Sequence, residues 1–339
     1  MTDDLPRAGA GALRGTLRAS PEDFRVDERL GFAPSGAGEH AFLEVEKRGA
    51  NTEWVARQLA RFAGVAPFAV GFAGLKDRHA VTRQAFTVHL PGRADPDWNA
   101  LDVAGVRVLS AQRHSRKLPR GALKGNAFAI VVRNVDGDRD AADALLDAIG
   151  RDGVPNFFGE QRFGRGGGNV AAAAAMFAGQ RVPREERSIL LSAARSAIFN
   201  AVLAARVADG SWRTGRDGDV FQLDGTGSIF GPEPLDATLR ERIASGDVHP
   251  TGPLWGRGEL RTTGDVAALE RGVVDAHADL ARGLEGAGLQ QQRRALRVRV
   301  AALQHAWHEQ ALELAFELPA GAYATTVLAA LGEFADGSG

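Results

Sequence analysis

Two hydrophobic periods divide this chain. Phe24 and Val26 alternate with charged neighbours after Pro21, the pattern of an edge strand with one dry face. His40-Ala-Phe-Leu-Glu-Val-Glu-Lys47 reads as a second strand. The apolar run 69–72 and the alternation Phe86, Val88, Leu90 predict two more, with residues 73–82 connecting them. Val106-Arg-Val-Leu109 follows, then Phe128, Ile130 and Val132. Near the C-terminus Leu296, Val298 and Val300 alternate with arginines, and Leu312, Leu314, Phe316 and Leu318 alternate in turn. These last two strands are expected to pair across a 305–309 connection.

The helical period appears between them. Asn51 or Thr52 caps a helix that carries Trp54, Val55, Leu59 and Phe62 on one face and stops at Gly64. Further helices are predicted over 138–150, 169–178, 185–207, 265–284 and just after the Leu318-Pro-Ala-Gly segment.

Length and composition narrow the class. The 339 residues suffice for about two domains. Hydrophobic residues at 44%, charged residues at 24% and a formal net charge of −1 are globular values. No apolar run in the sequence approaches the roughly 20 residues that span a bilayer. The acidic N-terminus Met1-Thr2-Asp3-Asp4 does not resemble a signal peptide, so a cytoplasmic location is expected. The absence of cysteine excludes disulfides, thiolate metal ligands and a cysteine nucleophile. His305 and His308 are the one close histidine pair and read as surface residues, so no bound metal is expected.

Charge is distributed unevenly. Between Val103 and Val135 stand Arg107, Arg113, Arg116, Lys117, Arg120, Lys124 and Arg133, with no acidic residue. That stretch suits a phosphate-binding face or a solvated basic loop. The connection Ala73-Gly-Leu-Lys-Asp-Arg-His-Ala-Val-Thr82 gathers Lys76, Asp77, Arg78 and His79 in a tight turn. Turns carry function more often than cores do, and cations around one carboxylate favour its ionised form. A merely solvated hairpin turn would read the same way.

AGLKDRHAVTRQ resembles the signature of the D family of transfer-RNA pseudouridine synthases, and four further motifs resemble that family in order. They are PEDF followed by V-x-E, GN-x-F at Gly125–Phe128, NFFGEQRFG at 156–164 and LPAGAYATTV at 318–327; SAARSAIFN at 192–200 is a similar helical element. The resemblance implies an α+β fold. Its catalytic domain, with a central mixed, largely antiparallel sheet flanked by helices, would occupy 1–154 and 290–339, and an inserted domain 155–289.

It further implies that Asp77 is catalytic in turning uridine into pseudouridine in tRNA, at uridine 13 of the D-arm region. Phe24, Asn126, Phe128 and Tyr323 would contact the target nucleoside, and Arg18 stands where the family has lysine. Arginine keeps the charge but is a planar fork, so equivalence is not automatic. Isomerisation exchanges no electrons and transfers no external group, so no cofactor is expected. Whether the carboxylate attacks C1′, adds to the ring or takes a ribose proton stays open.

The RNA backbone is expected on Arg113, Arg116, Lys117, Arg120, Lys124, Arg162 and Arg165, with weaker expectations for Arg195 and Asn200. Phe157, Phe158 and Phe163 could stack bases but better suit packing. A monomer without protein partners is expected. The competing expectations are a non-catalytic RNA-binding protein of this fold and a synthase acting on another RNA.

Overall fold

The computed structural model describes residues 11–338, the side chains of Glu160, Gln161 and Arg165 excepted. Two compact units result: residues 12–142 with 300–321 and the segment from 332 onward, and residues 143–299 with 322–331.

The first unit is built on a ten-stranded sheet. Its strands are β1 (Leu13–Leu17), β2 (Phe24–Arg29), β3 (His40–Arg48), β4 (Val70–Phe72), β5 (Val81–His89), β6 (Val106–His114) and β7 (Gly125–Gly137), then the hairpin Ala301–Trp307 and Ala311–Pro319, and finally Gly332–Asp336. From one side the order runs hairpin, β7, β2, β5, β3, β6, with β4 on β5 and β1 between β7 and the last strand. The pairs β1 with the last strand and β2 with β5 are parallel and the others antiparallel, so the sheet is mixed and largely antiparallel, as expected.

Two expectations fail here. Strand β2 is interior, antiparallel to β7 and parallel to β5. Its charges made it look like an edge, but Glu28 is absorbed by a buried ion pair and Arg25 faces solvent. The C-terminal hairpin pairs Ala301–Trp307, not 296–300, with Ala311–Pro319. The earlier alternation is real, but it buries Leu296 and Val298 in the second unit, where Arg297–Val298 pairs with Val154–Pro155.

Helix α1 (Thr52–Phe62) begins where Asn51 accepts the Glu53 amide, and it buries Val55 and Leu59 against β3, β4 and β5 residues. Trp54 faces outward at 37% exposure, so it lies off that face.

In the second unit, helix Arg184–Ala208 buries Leu190, Ile198, Phe199, Val202 and Leu203. By length and composition it could cross a bilayer, but these residues form the unit's core. A four-stranded sheet runs Ile229–Phe230, Phe221–Leu223, Val248–Leu254, Gln292–Ala295. The helix expected over 265–284 is two, Gly264–Ala276 and Ala278–Gly286, broken at His277 where φ is −120°.

Candidate active site

The turn 73–80 leaves β4 and enters β5, which pair antiparallel with Phe72 opposite Phe86. Buried polar groups hold its backbone. Thr52 Oγ1 accepts the Lys76 amide at 3.0 Å and donates to Gln84 Oε1 at 2.9 Å, while Gln84 Nε2 donates to the Gly74 carbonyl at 3.1 Å. The Lys76 ammonium meets Glu28 Oε1 at 2.7 Å with both side chains buried, and Glu28 Oε2 accepts the Ala85 amide. Lys47 Nζ donates to the Asp77 carbonyl at 2.8 Å and the Ala50 carbonyl at 2.7 Å. Lys76 was expected beside the Asp77 carboxylate. It is spent on Glu28 instead.

Asp77 Oδ1 accepts the His79 amide at 3.0 Å, a local turn bond, and Oδ2 meets Arg18 Nη2 at 2.9 Å. The carboxylate side chain stays 35% exposed and that of Arg18 15%. Arg18 follows β1 directly, with φ at 54°, a left-handed backbone that costs a non-glycine residue about 1 kcal/mol or more. Its other terminal nitrogen, Nη1, donates to Asp336 Oδ2 at 3.1 Å, and the guanidinium lies 4.4 Å from the Phe24 ring centroid. Its Nε is buried without a partner. Burial works to raise the Asp336 pKa, but hydrogen bonds from Ser338 and the Arg18 guanidinium outweigh it and hold the carboxyl below its usual value.

Phe24 and Phe128, diagonal neighbours across β2 and β7 (Phe24 lies opposite Ile130 and Phe128 opposite Val26), pack edge to face at 6.3 Å, and Phe128 stacks on Phe316 at 5.4 Å. Both are almost wholly buried, so they act as a floor and offer little free ring surface. Asn126, two residues up β7, pairs with Glu28 and Leu318 in the ladder, and its side-chain oxygen is buried without a hydrogen bond. That oxygen is an unsatisfied acceptor near the mouth of the strand.

The basic segment lies against β4 and the turn. Leu118 N donates to Thr87 Oγ1, and Gly121 N to the Ala73 carbonyl. Gly71 permits this approach, since a Cβ there would meet the Leu118 oxygen at 2.6 Å. Several of its cations are already paired: Arg107 with Glu46, Arg113 with Asp95, Arg120 with Glu53 and Arg133 with Asp23. Arg120 also stacks 3.7 Å from the Phe72 centroid, and Lys117 donates to the Phe68 carbonyl. Arg116 and Lys124 are exposed.

In the second unit Tyr323 packs with the core cluster of Phe158, Phe163 and Phe199. Its hydroxyl finds a long contact, 3.4 Å, from Arg162 Nη2, whose Nη1 donates to Ser192 Oγ. Arg165's side chain lies outside the described residues. Two weaker expectations fail. Arg195 binds the Leu254 and Trp255 carbonyls, and Asn200 clamps both backbone groups of Phe158, so both brace the fold.

Sequence reasoning missed Asp336, Lys47, Thr52 and Gln84. One signal was present: Ala41, Leu43, Val45 and Lys47 share one face of β3, and all are buried, so Lys47 continues a dry stripe. Nothing local marked Asp336, which lies 318 positions from Arg18.

The family model "tRNA pseudouridine synthase D (TruD)" matches residues 8–177 and 169–331. The chain is 52% identical to the tRNA pseudouridine synthase D of Xanthomonas axonopodis pv. citri over 354 aligned positions, covering 99% of this chain and 96% of that one. It is also 52% identical to the Methylococcus capsulatus protein of the same name, over 98% and 95% of the two chains. A crystal structure from Methanosarcina mazei, provisionally assigned to the same class, superposes with a TM-score of 0.71 at 22% identity, covering 97% and 94%, and so supports the fold. The chain therefore belongs to the tRNA pseudouridine synthase D family.

Proposed function

We propose that Asp77 is the carboxylate that starts the reaction, and that the target is uridine 13 of the tRNA D-arm region. The reaction class, uridine to pseudouridine within tRNA, follows from family membership. The C1′–N1 bond breaks, the uracil turns, C5 bonds to C1′, and the C5 hydrogen leaves as N1 regains one. The observation that carries the Asp77 reading is a partly exposed carboxylate on a turn whose backbone is clasped by buried groups. Its Oδ2 faces Arg18, and its Oδ1 has one backbone donor. Lone pairs are left for a substrate.

Each side chain then has a task. Arg18 holds the carboxylate and balances its charge. The unsatisfied Asn126 oxygen, buried in the free protein, suits the N3–H of a flipped uracil, whose unstacking costs a few kcal/mol. Phe24 and Phe128 form the floor beneath that group. We keep 1–154 with 290–339 as the catalytic domain, of which residues 1–10 lie outside the described residues, and 155–289 as the inserted domain. We take the working form as a cytoplasmic monomer that needs no protein partner. Its exposed large apolar residues, among those described, sit singly on separate elements: Trp54, Phe68, Leu75 and Ile189.

The test is tritium release from unmodified tRNA carrying 5-tritiated uridine, with the product position mapped by primer extension. Wild type should release tritium from position 13 and Asp77→Asn should not, while still binding tRNA. Equal release by both proteins would remove Asp77 from the chemistry. Release at another position would replace the proposed target.

A further inference from the structure

Lys47 is the most conspicuous buried charge of the first unit that the proposed reaction leaves unused. It sits near the end of β3, an interior strand, opposite Thr82 of β5 and Val106 of β6. Its side chain is fully buried. The ammonium meets main-chain carbonyls: Ala50 at 2.7 Å, Asp77 at 2.8 Å and, more loosely, Lys76 at 3.5 Å. Among the described residues no carboxylate stands within ion-pair distance of it. Taking an ammonium out of water without a counter-ion in contact is costly. Holding a turn does not require that cost, since Thr52 and Gln84 already hold the same turn with neutral groups. The charge therefore calls for a reason beyond the hydrogen bonds, and Asp77 supplies one.

We propose that Lys47 is a positioning residue for the isomerisation: its ammonium locks the backbone of Asp77 from beneath, so that the carboxylate stays aligned against Arg18, and turnover requires it in the charged form. This rests on Asp77 being the catalytic carboxylate. Lys47 touches the carbonyl of Asp77 and never the substrate, so it acts through that residue.

The surroundings make the charge labile near neutrality. Burial lowers the Lys47 pKa to about 8; the Asp77 charge works to keep the ammonium, and the neighbouring Lys76 charge works against it. Lys76 is itself paired to Glu28 of β2, and the strand partners Thr82 and Val106 carry no charge. The sign of the stability effect follows. The folded value lies below the ordinary value of 10.5, so between about 8 and that value the unfolded chain holds the extra proton. Lys47's contribution to stability therefore rises with pH across the window where turnover falls. A purely structural lysine would leave kcat and stability moving together.

The experiment measures kcat, KM and melting temperature from pH 6.5 to 9.5 for wild type, Lys47→Met and Asp77→Asn on unmodified tRNA. Wild-type kcat should fall with a midpoint near 8, while KM holds and Lys47's contribution to the melting temperature rises. Lys47→Met should have kcat lowered about 100-fold at neutral pH, the cost of a misplaced reacting group, with KM within about twofold. The fall centred near 8 should be absent from its profile. A kcat within about threefold of wild type, or the same alkaline limb in both proteins, overturns the proposal. If Lys47→Met does not fold, the wild-type profile decides, and a kcat that stays flat to pH 9.5 overturns it. If Asp77→Asn turns over normally, it is the reading of Asp77 that fails.

Discussion

Two arginine–aspartate pairs in this protein are built to opposite specifications. In the second unit Arg206 and Asp219 are fully buried and joined by two bonds, of 2.8 and 2.6 Å. Ser211 takes up Arg206 Nε and shares Nη2, and the Arg216 amide caps Asp219 Oδ2. Each arginine nitrogen and each carboxylate oxygen is satisfied. In the first unit Arg18 and Asp77 share a single 2.9 Å contact, the carboxylate is a third exposed, Arg18 Nε is left unpaired, and the guanidinium is divided with Asp336. A saturated pair has nothing left to offer a substrate. An unsaturated pair on a rigid turn does, and the unmet bonding capacity separates a structural pair from a reactive one more sharply than the residue types.

Removing one oxygen's charge from each pair should give crossed results. Asp77→Asn should lower kcat by at least about 10³-fold, about 4 kcal/mol of barrier. Its unfolding free energy should change by less than about 1 kcal/mol, the usual worth of a partly exposed ion pair. Asp219→Asn strands a buried guanidinium and should lower stability by about 3–5 kcal/mol, with kcat of the folded fraction unchanged. Urea denaturation beside tritium-release kinetics checks both. A large stability loss in Asp77→Asn would make the two pairs alike and end the distinction.

Arg18 tests the comparison within the reactive pair. Arg18→Met should cost about 10²-fold in kcat, and Arg18→Lys much less, because an ammonium can still face Asp77. The fork, however, now serves two carboxylates, and a point charge serves one well. Asp336→Asn should therefore shrink the penalty of Arg18→Lys, a coupling that a double-mutant cycle reads directly. Additive penalties would mean that Asp336 does not compete for the guanidinium.

These differences also mark how far the sequence could be read. The Asp77 turn, α1 with its Asn51 cap, and the alternating strands β5 and β7 are local patterns, and local patterns survive folding. What failed depended on pairing at a distance. Glu28 took Lys76 away from Asp77 because β2 lies beside β5. Asp336 reached Arg18 because β1 and the last strand run in parallel, with Leu17 opposite Asp336. Phe24 meets Phe128 edge to face because β2 and β7 are neighbours, a contact that no local pattern marked.

The basic stretch changes most on folding, for the same reason. Read linearly it is one-signed; folded, Glu46, Asp95, Glu53 and Asp23 arrive from other elements and neutralise four of its cations. Paired cations have little charge to give a phosphate, whereas exposed Arg116 and Lys124 have all of theirs. Each phosphate contact to a folded RNA should contribute a slope of about 0.7–0.9 in the logarithmic salt dependence of binding. Arg116→Ala with Lys124→Ala should thus flatten that slope by about 1.5. Arg107→Ala with Arg133→Ala should leave the slope unchanged, and the loss of Arg133 should leave Asp23 buried without its cation. Filter binding of tRNA across a salt series decides it, and equal slopes for the two double variants would mean that the carboxylates release their arginines when RNA arrives.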